Sequence, residues 1–157
     1  MTIFLVERVD LSDFERHLFA LDNDDRYMRF GYYVNDDSVS SYIQKIEEDH
    51  LLTGFKHHDD LIAAAHVGLY YHEDKTIAEL GVSVNKEHRN QGLGTELVEK
   101  GIEWAFNNGA QELHTMCLGR NGPMKKVARK NNMLVSIDGM ESFARVELCG
   151  KYQIKNN

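Results

Sequence analysis

Proline and tryptophan each occur once in this chain of 157 residues, and cysteine twice. Each scarcity excludes a class of protein. With one proline and no serine- or glycine-rich run there is no linker, repeat or low-complexity segment, so a single domain over residues 1–157 is expected. Two cysteines do not frame a disulfide-built scaffold. Cys117 and Cys149 sit among apolar neighbours in strand-like segments and read as free buried thiols suited to a reducing cytoplasm, with a disulfide as the alternative. Long apolar runs are missing too: Leu61 to Ala65 is broken by His66, and the next five residues by His72, so no segment reaches transmembrane length. The first ten residues lack the basic start and apolar core of a signal peptide. Positive charge is in deficit, 18 Lys and Arg against 25 Asp and Glu, for a net charge of −7. That balance argues against nucleic acid or an anionic membrane as partner and suits a cationic substrate.

What remains is a core-forming composition, 42% hydrophobic, arranged in two halves. In the first, Thr2 to Val9 alternates like an edge strand, and Ser12 and Glu15 have the spacing of a capping box opening a helix with Phe14, Leu18 and Phe19 on one side. Leu21 to Asn35 reads as irregular and aromatic-rich. A second helix is expected from Ser38 to Glu48, behind Asp36 and Asp37. In the second half, apolar runs at Leu51 to His57, Leu61 to Tyr71 and Thr76 to Val84 are separated by short polar turns, the signature of an antiparallel meander. A loop leads to a helix from Gly94 to Asn107. A strand at Leu113 to Leu118, a helix opened by Asn121 with Pro123 in its first turn, and strands at Leu134 to Ile137 and Phe143 to Ile154 complete the chain. The strand, helix, strand unit from Thr76 to Leu118 requires a parallel pair. The fold class is therefore α/β (α+β): a mixed, mostly antiparallel central sheet with helices on both faces. A ligand crevice is expected where the parallel strands diverge.

The most informative segment is Glu79-Leu-Gly-Val-Ser-Val84, a short loop, and Arg89-Asn-Gln-Gly-Leu-Gly94 opening an amphipathic helix. The glycines let the backbone turn so that the amides of Gln91, Gly92, Leu93, Gly94 and Thr95 converge at the positive end of the helix dipole, a cradle for a pyrophosphate. Arg89 or Gln91 would add a side-chain contact. A dinucleotide motif would place a third glycine where Leu97 stands, and a nucleotide P-loop needs a Gly-Lys-Ser/Thr that is absent.

This arrangement resembles the GCN5-related N-acetyltransferase (GNAT) superfamily, whose signature Arg/Gln-x-x-Gly-x-Gly/Ala is met by Arg89, Gly92 and Gly94. The segments Asp25 to Phe30, Ala78 to Leu80, and Asn121, Met124 and Ala128 to Lys130 look like the bacterial protein-lysine acetyltransferase subgroup. The resemblance implies the acyl-CoA N-acyltransferase fold, acetyl-CoA as cosubstrate without a metal, and direct transfer to an amine, either a protein lysine or a small molecule. It implies that the main chain of Val82, Ser83 and Val84 binds the pantetheine arm, that the Gln91 to Thr95 amides hold the pyrophosphate, and that Asn121 contacts the cofactor arm. A homodimer is left open.

An amine attacks a thioester only when neutral, so a base is needed. Period-two alternation puts Glu79, Gly81 and Ser83 on one face of a central strand, and Glu79 is the expected base, with burial at the crevice raising its pKa. Many members of the superfamily carry a tyrosine in the last main helix that protonates the leaving thiolate; here Ala128 stands there. Tyr32, Tyr33, Tyr70 and Tyr71 are unranked substitutes, each also readable as half-buried packing. The departure keeps open a second reading, a non-catalytic acyl-CoA-binding regulatory or degenerate domain. His57-His58-Asp59-Asp60 reads as a solvated turn, His66 and His114 as hydrogen-bonded strand histidines, and the basic run Arg120, Lys125, Lys126, Arg129 and Lys130 as a solvated face or a patch for cofactor phosphates.

Overall fold

A computed structural model of the chain describes residues 2–118, 121–138 and 141–148. Seven strands form one sheet in the order β1-β2-β3-β4-β5-β7-β6: β1 Ile3–Val6, β2 Leu51–His57, β3 Asp60–His72, β4 Lys75–Val84, β5 Glu112–Leu118, β6 Leu134–Asp138 and β7 Glu141–Glu147. The helices are α1 Leu11–Phe19, α2 Asn23–Phe30, α3 Asp36–Gln44, α4 Leu93–Asn107 and α5 Gly122–Lys130, with a short 3-10 turn at Lys86–His88. Among the described residues no helix is long and apolar enough to cross a membrane. Arg120, Cys149, Ile154 and the Cys117 side chain lie outside what is described.

The strands of the meander pair antiparallel as their alternation predicts. β4 and β5 are parallel, and their pairing is confined to Ile77↔Glu112, Ala78↔Leu113 and Glu79↔His114. Beyond Glu79 the strands part. The mixed, mostly antiparallel sheet is covered on both faces, as expected. On one face α4 buries Leu97, Val98, Ile102 and Ala105 against Val67, Ala78, Leu80 and Leu113. On the other, α1 and α3 bury Phe14, Leu18, Val39 and Ile43 over Leu52, Leu61 and Ala64.

Three expectations are corrected. The N-cap of α1 is Asp10, without a side-chain cap bond, so Ser12 lies inside the helix and the capping box does not form. The stretch expected to be irregular contains α2, because Asp22 caps it by accepting from the Asp25 amide at 2.8 Å and Gly31 closes it at φ 82°. Acidic Asp24 and Asp25 in its first turn and Arg29 in its last also suit the helix dipole. Helix α3 begins earlier than expected, since Asn35 is its cap, accepting from the Ser38 amide at 2.9 Å.

Gly54 of β2 lies close against β3. A Cβ there would overlap the Ala63 carbonyl oxygen and stand 2.8 Å from Leu61 Cδ1. Gly54→Ala should therefore destabilise the fold by about 1–3 kcal/mol, despite the entropy alanine removes from the unfolded chain. A fall in the urea midpoint at constant slope would show it.

Candidate active site

Where β4 leaves β5, a cleft of about 400 Å³ opens between β4, the start of α4, α5 and one side of α2. Its walls include Gly81, Val82, Ser83, Val84, Arg89, Gly92, Leu93, Gly94, Thr95 and Asn121. Gln91 is exposed in the same turn, and Asn90 rather than Gln91 lines the cleft. Gly92 holds a left-handed conformation at φ 81° as N-cap of α4 and offers no side-chain cap. Among the described residues the first-turn amides of α4 therefore have neither an intrahelical nor a side-chain acceptor, and the helix's positive end lies at the cleft. Opposite them, Lys126 and Lys130 of α5 also line the cleft. Main-chain groups of β4 beyond Glu79 meet no strand on the β5 side. An anion-binding helix start, an open strand edge and two lysines together fit a ligand that is extended and phosphorylated at one end.

Arg89 is held: it donates to Asp25 at 2.9 Å and to the Val84 carbonyl at 3.2 Å. Lys86 joins Asp22 and lies 3.7 Å from Asp25. These ion pairs tie the turn before α4 to the first turn of α2. Asn121 caps α5, its oxygen accepting from the Met124 amide at 3.2 Å. Ala128 is fully buried in the α4-side core. Asn132 takes the left-handed conformation, φ 60°, that closes α5.

Glu79 shares a face with Gly81 and Ser83, as alternation predicts, but it is exposed and lies outside the cleft wall. The burial expected of it is absent for a local reason. Its cross-strand partner is Gly68 and the next residue on its face of β4 is Gly81, so neither covers it with a side chain. Larger groups from elsewhere occupy those places. The His50 ring lies 3.0 Å from where a Gly68 Cβ would stand, and the Arg29 guanidinium fills the space of a Gly81 Cβ. Its third neighbour, His114 of β5, is drawn to Glu112 at 2.7 Å. That hydrogen bond, more than the one from Lys75, holds the Glu112 carboxyl below its usual range.

Two hydrogen-bonded chains back this face. His17 of α1 places Nδ1 3.0 Å from the Leu61 carbonyl and Nε2 2.7 Å from Ser83 Oγ. A carbonyl only accepts, so Nδ1 carries the proton and the Ser83 hydroxyl donates to Nε2. In the second chain Arg29 Nη2 donates to Tyr42 Oη at 2.8 Å, Tyr42 bonds His66 Nδ1, and His66 Nε2 lies 2.9 Å from His50 Nδ1. The Glu47 amide also points at His50 Nδ1, at 3.4 Å, which makes that nitrogen an acceptor. His66 then donates from Nε2, and Tyr42 donates to its Nδ1. His66 is thus a hydrogen-bonded strand histidine, as read from the sequence.

The sequence offered no signal for His17, Tyr42 or His50, because spacing along one element does not report which side chains a distant helix or loop lays over a strand. Of the tyrosines it did offer, Tyr32, Tyr33 and Tyr71 are exposed, at 61%, 66% and 82%, and Tyr70 is 38% exposed at the sheet surface. Tyr32, Tyr33 and Tyr71 are not half-buried, because Tyr32 and Tyr33 follow the end of α2 and Tyr71 lies at the far end of the β3–β4 hairpin, although the Tyr33 ring lies 4.4 Å from that of Tyr27.

Comparison with known proteins gives these features a class. The sequence profile of the acetyltransferase (GNAT) family matches residues 13–131, and the chain belongs to that family. No curated protein matches it significantly. Among solved structures it is similar to an N-acetyltransferase from Staphylococcus aureus, with 15% identity, a TM-score of 0.73 and coverage of 94% of this chain and 99% of that one. It is similar also to a ribosomal-protein-alanine N-acetyltransferase from Brucella melitensis, with 15% identity, a TM-score of 0.74 and coverage of 92% and 99%. A third is yncA of Salmonella typhimurium, solved with its cofactor acetyl-CoA, at 14% identity, a TM-score of 0.68 and coverage of 94% and 95%. At such identities the likeness is one of fold.

Burial, helped by the Arg29 charge, lowers the His17 pKa to about 4 and that of His66 to about 3. Between pH 6.5 and those values the unfolded chain binds protons that the folded chain refuses. Stability is therefore full above pH 6.5 and falls as pH drops. From pH 7 to pH 5 the loss should be about 2 kcal/mol per histidine, set mainly by the unfolded pKa. Urea midpoints at the two pH values should show it, and His66→Gln should roughly halve the fall.

Proposed function

We propose that this protein is an acetyl-CoA-dependent N-acetyltransferase that moves the acetyl group directly to a primary amine, of a protein lysine or a small molecule, in the cytoplasm. The observation that carries this reading is the uncapped start of α4 at Gly92-Leu93-Gly94, which faces a cleft also walled by the open edge of β4. In that cleft the amides of Leu93, Gly94 and Thr95 would take the pyrophosphate, and Lys126 and Lys130 would neutralise further phosphate charge. The main chain of Val82 to Val84 would hold the extended arm, with Asn121 beside it. Acetyl-CoA supplies an activated acyl carbonyl, and the chain's own residues must bring a neutral amine to it.

Glu79 is the group we assign to remove the amine proton. It stands two residues before the cleft wall at Gly81, and its exposure opens it to water. Ser83 is not free to serve as base, because its hydroxyl is committed to His17.

The buried Ala128 favours one other reading, a domain that binds acyl-CoA without turning it over. Free-thiol release from acetyl-CoA with an amine panel separates the two. Acceptor-dependent release is expected, and tight cofactor binding without it would select the non-catalytic reading. Glu79→Gln should lower kcat/KM about 100-fold near pH 7 and less above pH 9, where the amine sheds its own proton. An equal loss at both pH values would remove Glu79 as base.

A further inference from the structure

Arg29 lies at the end of the cleft remote from the α4 start. Its guanidinium sits over Gly81, three residues before Val84, which at ~3.3 Å per strand residue is roughly 10 Å. It is half-buried, it lines the cleft, and it packs on Phe30 and Tyr42 at 4.7 and 5.4 Å from the ring centroids. Among the described residues it pairs with no carboxylate.

Comparable arginines are neutralised. Arg26, one turn earlier, has Asp36 at 2.7 Å, and Arg89 has Asp25 at 2.9 Å. Among the described residues the cleft's one carboxylate, Asp25, is thus already taken, and Arg29 is left facing two neutral histidines, His17 and His66, on which its charge is felt. The single hydrogen bond it makes among the described residues is anchored from behind by the Tyr42–His66–His50 chain. One of its five N–H groups is used there, which leaves others for a ligand. A half-buried cation held in place without a counter-ion marks a site that an anion completes.

We propose that the acceptor is an amine carrying a carboxylate within a few bonds, an amino-acid-like small molecule whose carboxylate pairs with Arg29 while its amine lies between Gly81 and Glu79. This rests on the transferase reading and narrows it. Cofactor phosphates belong at the other end of the cleft, and a polyamine or a lysine side chain carries no anion for this position.

The test pairs each common L-amino acid with its carboxamide, using acetyl-CoA and free-thiol release. Binding of the same pairs to protein saturated with coenzyme A is read in parallel by calorimetry. The best acid should exceed its amide about 10- to 100-fold in kcat/KM and in affinity, although the amide has more of its amine neutral at pH 7. Arg29→Gln should bring both ratios near one by lowering those for the acid, and Arg29→Lys should give an intermediate value. Gly81→Ala, which displaces the guanidinium without changing its charge, should also lower the ratios. Acetyl-CoA affinity and circular dichroism report folding for each variant. Equal use and equal binding of acids and amides, or a preference that survives Arg29→Gln, overturns the proposal while leaving the transferase reading intact. A binding preference for acids without any thiol release overturns that reading instead and leaves Arg29 as the carboxylate site.

Discussion

The brevity of the contact between β4 and β5 governs the rest of this structure. Three residue pairs suffice to fix the parallel crossover, and after Glu79 no strand among the described residues pairs with β4 on its β5 side. Had the pairing continued, Val82 to Val84 would satisfy their main-chain groups with a strand and the cleft would close. Because it stops, one strand supplies both an open edge and the floor of a cavity, while α4, which must start near the end of β4, aims its first turn at the same space. The ligand site is a consequence of strand divergence more than of any one side chain.

Charge within the cleft is divided along its length. The helix start, Lys126 and Lys130 gather positive potential at one end, within a chain whose net charge is −7. Asp25 does not oppose it, since Arg89 and Lys86 neutralise its carboxylate. The same ion pairs join the turn before α4 to α2, so the helix that carries Asp25 at one end carries Arg29 about one turn later. A single short helix lying along the cleft thereby contributes to both of its ends.

Legibility in the sequence followed the range of the forces involved. The meander, the crossover and the turn from Arg89 to Gly94 were readable because alternation, helical period and glycine placement are local, and each is repeated several times within its element. Helix α2 was missed because its eight residues are too few for a clear apolar stripe, and only its ends, Asp22 and Gly31, announce it. The capping box was over-read, since Ser12 and Glu15 have the spacing but Asp10 starts the helix one residue before Leu11. His17, Tyr42 and His50 were beyond reach. Each acquires its chemistry from a strand between 16 and 66 positions away in the chain.

Glu79 shows how a correct facial assignment leads to a wrong environment. Alternation places it properly, and a central strand suggests burial, yet burial depends on the neighbours of the residue as much as on its strand. With glycine at 68 and at 81, the sheet has no side chain of its own on two sides of the carboxylate, and His50 and Arg29 occupy the space that side chains would have filled. A pair of larger residues would have covered Glu79. The glycines instead leave an accessible carboxylate set between an imidazole and a guanidinium.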